Sequence, residues 1–308
     1  MEPVIYFKGD FRPEHEAAIS VRSRGLNYGL GCFAGIRGYR SDDGSQLNLF
    51  RLDRHVRRLE AGAHILCLRL PGTVEEVSNI IIELLRRNGV RDDVYVRPIV
   101  FANSNELSPL LDPDTSETAI FCMPLGRYLS SEPIDVGVSS WRRVRENALP
   151  ARAKATGGYL NSALARREAI DHGYTEAILL TEDGHVSEGS AEHVFIVRDG
   201  QLISPPSTED NLDGITRQSL ITLATEDLHI PFVERSIGRT ELYVADEMFL
   251  CGTGAEITPV RSVDRRPIGG GRVGPVTRRL AAHFEAVVRG RVASRKDWLT
   301  PVWPEQGQ

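Results

Sequence analysis

Four groups of residues in this 308-residue chain have types and spacings that could do chemistry. The first is Lys154 in "ARAKATGGYLNS", a long cationic side chain among Ala, Thr and Gly, with Tyr159 five residues on. Small neighbours leave room for a cofactor ring beside the amine, and the phenol could donate to it; a free surface lysine has the same local sequence. The second is Gly214-Ile215-Thr216, directly ahead of a helical apolar stripe. A helix amino terminus offers unpaired N–H groups and positive dipole character, which suit a phosphate, although a plain threonine cap after a loop glycine reads the same way. The third, "CGTGAEI", sets Thr253 between glycines, where successive N–H groups can converge on an oxyanion or where the chain simply turns. The fourth is Glu188 in "GHVSEGSAEHVF", either an exposed turn residue or a buried carboxylate in need of a cation, for which a protonated pyridine nitrogen would serve.

Taken together, these groups supply a lysine for a Schiff base, an acid for a pyridinium nitrogen and a cradle for an anion, the set that a pyridoxal phosphate enzyme requires. Other chemistries find less support. The eight histidines form no HExxH or i, i+4 pair, which leaves no basis for a metal site. No GxSxG elbow, Walker loop or GxGxxG follows a strand, and the glycines at 269–271 lack a P-loop lysine. The basic run "RLDRHVRR" reads as a solvated helix face from which Arg54 could turn inward to a phosphate. With 37 Lys+Arg against 42 Asp+Glu, nothing in the charge points to nucleic acid or a membrane surface, so small molecules are the expected partners. Four scattered cysteines without a CxxC pair read as buried thiols of a reducing compartment. The amino-terminal residues show no signal-peptide pattern and no apolar stretch is long enough to span a bilayer, so a cytoplasmic protein is expected.

The elements that must position these residues are a mixture of helices and strands. Leu52, Val56, Leu59 and Ala63 recur at helical spacing, as do Val74, Val77, Ile81 and Leu84, the second stripe ending at Gly89 where a left-handed C-cap belongs. "VYVRPIVF" is β-rich, but Pro98 cannot donate to a ladder and predicts an edge strand or a bulge. "AIFCMP" and "IDVGVSSW" are further strands, "EDGH" and "RDGQ" are hairpin turns, and helices are expected after Lys154, after Gly214 and over "GPVTRRLAAHFEAVVRG". This order is α+β, without regular βαβ alternation. The expected division is a smaller amino-terminal domain over 1–125, a linker over 126–133, and a larger domain over 134–308 carrying Lys154.

Seven stretches, "LNYGLGCFAGIR", "LDRHVRRL", "YVRPIVF", "ARAKATGGYLNS", "HVSEGSAEHVF", "LDGITR" and "CGTGAEITPVRSVD", occur in the order found in class IV (fold type IV) pyridoxal phosphate aminotransferases. Between about Tyr6 and Phe284 the chain most resembles the branched-chain-amino-acid aminotransferases, which implies the two-domain fold of the D-amino-acid aminotransferase type. The resemblance makes Lys154 the Schiff-base lysine, Glu188 the partner of the ring nitrogen and Tyr159 the donor to the ring hydroxyl. It assigns the phosphate to Arg54, Gly214, Ile215, Thr216 and Thr253, and a ring face to Leu212. The turn Thr253-Gly254-Ala255 would present N–H groups to the substrate α-carboxylate, and Tyr28, Phe33, Arg37, Tyr95, Arg97 and Tyr128 would line the substrate pocket. Strand periodicity puts Tyr95 and Arg97 on one face, where a guanidinium beside a phenol suits a carboxylate; a structural ion pair of Arg97 with an acidic neighbour is the other reading.

What the resemblance implies is transamination of leucine, isoleucine or valine with 2-oxoglutarate, by a homodimer or higher homo-oligomer. D-Amino-acid or (R)-amine transamination is the next reading, aminodeoxychorismate lyase follows, and a non-catalytic phosphate-ligand-binding protein comes last. Three positions depart from the family pattern: Ala34 stands where a glutamate is usual, Gly254 where an alanine is, and Leu125 where a tryptophan is common. Each loses bulk or charge, so a roomier pocket with broadened selectivity is expected.

Overall fold

The structure is a computed structural model that describes residues 2–126 and 132–304. The chain divides into two compact units. The first comprises Met1–Gly126, Ala153–Gly157 and Ala286–Gln308; the second comprises Arg127–Arg152 and Gly158–Glu285. This differs from a single boundary near residue 125, because the Lys154 segment and the carboxy-terminal tail both belong with the first unit. The expected linker falls partly outside the described residues.

In the first unit, β1 (Val4–Phe7), β2 (Asp10–Pro13), β3 (Gly31–Phe33), β4 (Ile36–Arg40), β5 (Leu47–Phe50), β6 (Val94–Ala102) and β7 (Ser116–Pro124) form one antiparallel sheet with a strand from the tail, Leu299–Pro301. Its order runs from the tail strand through β5, β4, β6, β7 and β1 to β2, with β3 also on β6. A short α1 (Arg24–Tyr28) precedes β3, while α2 (Leu52–Ile65) and α3 (Val74–Arg87) bring the two predicted stripes onto one face of the sheet. Leu59, Ala63, Ile81 and Leu84 there pack with Cys32, Ile36, Val94, Val96 and Val100. Thr73 and Glu76 close a capping box at the start of α3, and Gly89 has the expected positive φ of 64°.

β6 is central, not an edge, and Pro98 is tolerated there for a specific reason. Its partner on one side is interrupted: β3 pairs with Ile99–Phe101, β4 pairs with Val94–Val96, and the gap at Ala34–Gly35 lies opposite Pro98. The Pro98 carbonyl still accepts from the Ala34 N–H at 3.0 Å, and the donor that proline lacks faces the break.

The second unit is built on a nine-stranded mixed sheet. β8 (Ile134–Arg142) lies between β9 (Glu176–Leu180) and a later strand, Glu256–Val263, parallel to both. The hairpins appear where expected: β9 turns into β10 (Val186–Gly189) at Asp183-Gly184, and β11 (His193–Arg198) turns into β12 (Gln201–Ser204) at Asp199-Gly200, both with positive φ. β13 (Phe232–Glu234) extends this edge in parallel to β12. A third antiparallel pair joins β14 (Glu247–Gly252) to β15 (Glu256–Val263) through the Thr253 turn. α4 (Tyr159–Asp171) covers β9 through Ala165 and Ala169, α5 (Ile215–Thr222) follows Gly214, and the terminal helix Pro275–Val288 leads back to the first unit. Among the described residues, no helix is long and apolar enough to cross a membrane. The cysteines are all free, but Cys67 is exposed, since it lies beyond the end of α2 with φ of 49° and not on the buried stripe.

The α2–α3 face sets the stability of the first unit. Leu84→Ala should cost about 2–5 kcal/mol by leaving a cavity, whereas Thr73→Ala should cost about 1 kcal/mol by uncapping α3. Urea denaturation of the two variants should rank them in that order.

Candidate active site

Lys154 is held by backbone contacts within the first unit. The Phe33 N–H donates to the Lys154 carbonyl at 3.3 Å, and Ala155 bridges to Cys32. Thr156 Oγ1 donates to the carbonyl of Gly29 at 2.7 Å and of Gly31 at 3.2 Å, and the Gly157 N–H donates to the Gly29 carbonyl. A Cβ at Gly62 on α2 would collide with the Ala153 carbonyl oxygen, and one at Gly29 would stand 2.8 Å from the Gly157 Cα. The small residues around Lys154 are therefore used for close backbone docking against α2 and β3. Lys154 itself takes φ of 48°, in the left-handed region that few non-glycine residues occupy.

From that backbone, the amine lies 5.2 Å from the centre of the Phe33 ring, on whose face the Arg97 guanidinium also sits at 4.3 Å. Arg97 donates through Nε and Nη2 to the Tyr95 hydroxyl at 3.0 and 2.6 Å. No carboxylate pairs with Arg97 among the described residues, so the ion-pair reading of this residue fails. Gly35 leaves the space for the phenol, since a Cβ there would overlap the Tyr95 hydroxyl. Arg37 lies opposite Tyr95 in the register of β4 and β6, is buried, and donates to the Leu125 and Gly126 carbonyls at 3.1 and 3.2 Å. The sheet face away from α2 and α3 thus carries Phe33, Arg37, Tyr95 and Arg97. Tyr28, at the end of α1, is exposed, and Tyr128 lies outside the described residues.

Arg54 is exposed on α2, whereas Arg58, one turn further on, is half-buried. His55 between them is buried, and its imidazole is held well below its usual range by burial, then by the charges of Arg58, Lys154 and Arg51. Its Nδ1 has no hydrogen-bond partner. A neutral histidine ringed by three cations marks a place suited to an anion. Arg54, read from the sequence as able to turn inward, is the exposed one of the two arginines.

The second unit assembles the other residues. Glu188, at the end of β10, is only 5 % exposed. Its Oε1 is 2.8 Å from Arg143 Nη2, and its Oε2 accepts a long hydrogen bond, 3.4 Å, from the Leu212 N–H. The exposed-turn reading of this residue is thereby excluded. Gly214 caps α5 with no side-chain bond, no acidic residue occupies the first turn, and Thr216 is buried at the second helical position, not at the cap. Gly214 must lack a side chain because a Cβ would run into Nε2 of His193 on β11. Thr253 and Gly254 are half-buried in their turn, and Ala255 is buried with its carbonyl accepting from the Thr258 hydroxyl at 3.0 Å. Tyr159 is half-buried at the first position of α4.

Two buried acids escaped notice in the sequence. They are Glu176 on β9 and Glu192, in the turn after β10, and Glu192 lies near both Glu176 and Glu188. Burial first, and Glu176 second, push the Glu192 carboxyl up to about 8. Glu176 is raised as well, mainly by burial, although the Ala177 N–H donates to it at 2.7 Å and Arg166 lies nearby. The only signal was a second glutamate four residues after Glu188.

Residues 31–263 match the Amino-transferase class IV family. The chain belongs to that family. This class IV aminotransferase is 44 % identical to a probable branched-chain-amino-acid aminotransferase of Aquifex aeolicus over 97 % of the chain and 96 % of the relative. It is similar to the branched-chain aminotransferase of Thermoproteus uzoniensis solved with norvaline, at a TM-score of 0.93 and 43 % identity over 98 % of the chain and all of the solved one. It is similar also to the branched-chain amino acid aminotransferase of Thermobaculum terrenum solved in its PLP-form, at a TM-score of 0.93 and 38 % identity over 98 % of the chain and 99 % of the solved one. The aminotransferase uses pyridoxal phosphate, and its residues fit that group: Glu188 keeps an oxygen with spare acceptor capacity, the first turn of α5 carries no acid beside its N–H groups, and Lys154 is fixed in an enforced conformation.

Glu192 gives the fold a pH dependence of defined sign. The acid is protonated in the folded state up to about 8 and ionises near 4.5 when unfolded, so its contribution is fully present below the lower value and is lost as pH rises through the upper one. Glu192→Gln should melt close to wild type at pH 5 and above it by about pH 8 to 9. Parallel melting curves across that range would remove the proton from Glu192.

Proposed function

We propose that the protein transfers the amino group of L-leucine, L-isoleucine or L-valine to 2-oxoglutarate, giving branched 2-oxo acids and L-glutamate. The observation that carries this reading is the Tyr95–Arg97 pair against the Phe33 ring beside Lys154. An apolar ring face suits a branched side chain, and a guanidinium hydrogen-bonded to a phenol suits the distal carboxylate of the second substrate, so one wall serves both half-reactions. Pyridoxal phosphate, when bound, supplies the aldehyde that carries the amino group and a ring that takes up the electron pair left when the Cα proton departs.

The roles of the chain's own residues follow. The Lys154 amine anchors the cofactor and, once released, moves the proton at Cα. Glu188 keeps the ring nitrogen positive, Tyr159 donates to the ring hydroxyl, and Leu212 packs on the ring. Gly214, Ile215, Thr216 and Thr253 hold the phosphate, with Arg58 in place of Arg54 because Arg58 is the one near His55 and Lys154. Gly254 and Ala255 bind the α-carboxylate through their N–H groups. Phe33, Arg37, Tyr95 and Arg97 line the substrate pocket, together with Tyr28. Ala34, Gly254 and Leu125 enlarge it and broaden the range of amines accepted.

The working unit is a homodimer in the cytoplasm. Arg24 donates to the carbonyls of Glu106 and Leu110, which ties the α1 segment to the 106–110 loop, and Val21, Leu26, Leu107 and Leu110 on these two segments are exposed. Val21 and Leu107 are 79 % and 77 % exposed, which a monomer has no reason to keep. Leu107→Asp should shift the sedimentation profile toward monomer; a dimer of unchanged stability would place the interface elsewhere.

Purified protein supplied with pyridoxal phosphate should show a visible absorption band that L-leucine converts. A band bleached only by a D-amino acid or an (R)-amine would move the donor to that class, and no band would overturn the reading. Lys154→Ala should abolish turnover. Arg97→Leu should weaken 2-oxoglutarate far more than leucine, and equal losses for both would remove Arg97 from the distal carboxylate.

A further inference from the structure

Arg143, just beyond β8, is fixed by three elements around it. Its N–H donates to the Leu180 carbonyl on β9 at 2.8 Å. Its guanidinium meets Glu188 Oε1 at 2.8 Å and donates to Ser162 Oγ on α4 at 3.3 Å and to the Asp210 carbonyl ahead of α5 at 3.4 Å. The side chains of Arg143 and Glu188 are 15 % and 7 % exposed, so water does little to screen the pair. Near them stand Glu192, in the turn after β10, and the Asp210 carboxylate, which accepts from the Glu146 N–H. The charged contact that Arg143 makes at hydrogen-bond distance is with Glu188.

A carboxylate facing a pyridine in a poorly hydrated site can hold the proton between them in two ways. Either the nitrogen carries it, as an ion pair, or the acid carries it, as a neutral hydrogen-bonded pair, and burial favours the neutral arrangement. A guanidinium on the far oxygen of the carboxylate stabilises the negative charge and reverses that preference.

We propose that Arg143 is a positioning residue that holds Glu188 as the anion, so that the proton shared with the cofactor rests on the ring nitrogen. No bond is made or broken beyond the position of this proton. Oε1 is engaged by Arg143, which leaves Oε2, with its single long bond from Leu212, as the oxygen for the ring. The inference rests on the functional reading above.

The test is ¹⁵N NMR of the protein loaded with pyridoxal phosphate labelled at the ring nitrogen, read alongside kcat and KM for L-leucine. The wild-type signal should stay in the protonated range from about pH 6 to 8. Arg143→Met should move it toward the unprotonated range and lower kcat roughly ten-fold or more with a smaller change in KM. Arg143→Lys should restore most of the protonated signal. Should the Met variant fail to fold, Arg143→Gln removes the charge, keeps a hydrogen-bonding group and must give the same displacement. A neutral variant whose nitrogen remains protonated, with kcat near wild type, would overturn the proposal and leave Arg143 a structural role. A wild-type protein that takes up no label would instead overturn the functional reading itself.

Discussion

The docking of the Lys154 segment against α2 and β3 is the constraint on which the rest of the first unit's functional face depends. Four backbone or hydroxyl hydrogen bonds and two glycine contacts hold five residues in place, and they force a lysine into the left-handed region. A reactive amine on a flexible loop would lose its geometry with every excursion of the backbone; here the backbone is locked to a sheet and a helix that share one core. Phe33, whose backbone N–H donates to the Lys154 carbonyl, has its ring close to both the Lys154 amine and the Arg97 guanidinium.

The second unit solves a different problem, that of keeping several acids buried together. Glu192 lies near both Glu176 and Glu188, with Arg143 and Arg166 as nearby cations. Glu188 takes the guanidinium of Arg143 and Glu176 a backbone donor, while burial raises both Glu176 and Glu192. The bare amino terminus of α5, shaped by the contact of Gly214 with His193, supplies the opposite polarity through backbone dipoles.

Much of this was legible in the sequence where a periodic signal existed. The stripes of α2 and α3 and the hairpins at Asp183-Gly184 and Asp199-Gly200 follow from local spacing, as does the shared face of Tyr95 and Arg97. Pro98 misled because a single-strand rule cannot see that the neighbouring strand is broken at Ala34–Gly35. Arg143 lies far before Glu188 in the chain and was invisible for the same reason: nothing local joins them. The exposure of Arg54 depends on which face of α2 the Lys154 segment meets, and that of Cys67 on where the helix stops. The small residues around Lys154 were noticed, but their work is close packing of backbone.

The tail strand has a consequence for the order of assembly. Leu299–Pro301 completes the first unit's sheet along β5, Trp298 packs edge-on against Phe50 and accepts from the Arg51 N–H, and the Val302 carbonyl accepts from the Arg86 guanidinium. Those residues leave the ribosome after every strand of the second unit. The first unit's sheet is therefore completed only once the second unit has been made, and until then a bare β5 edge stands open to mispairing in the nascent chain.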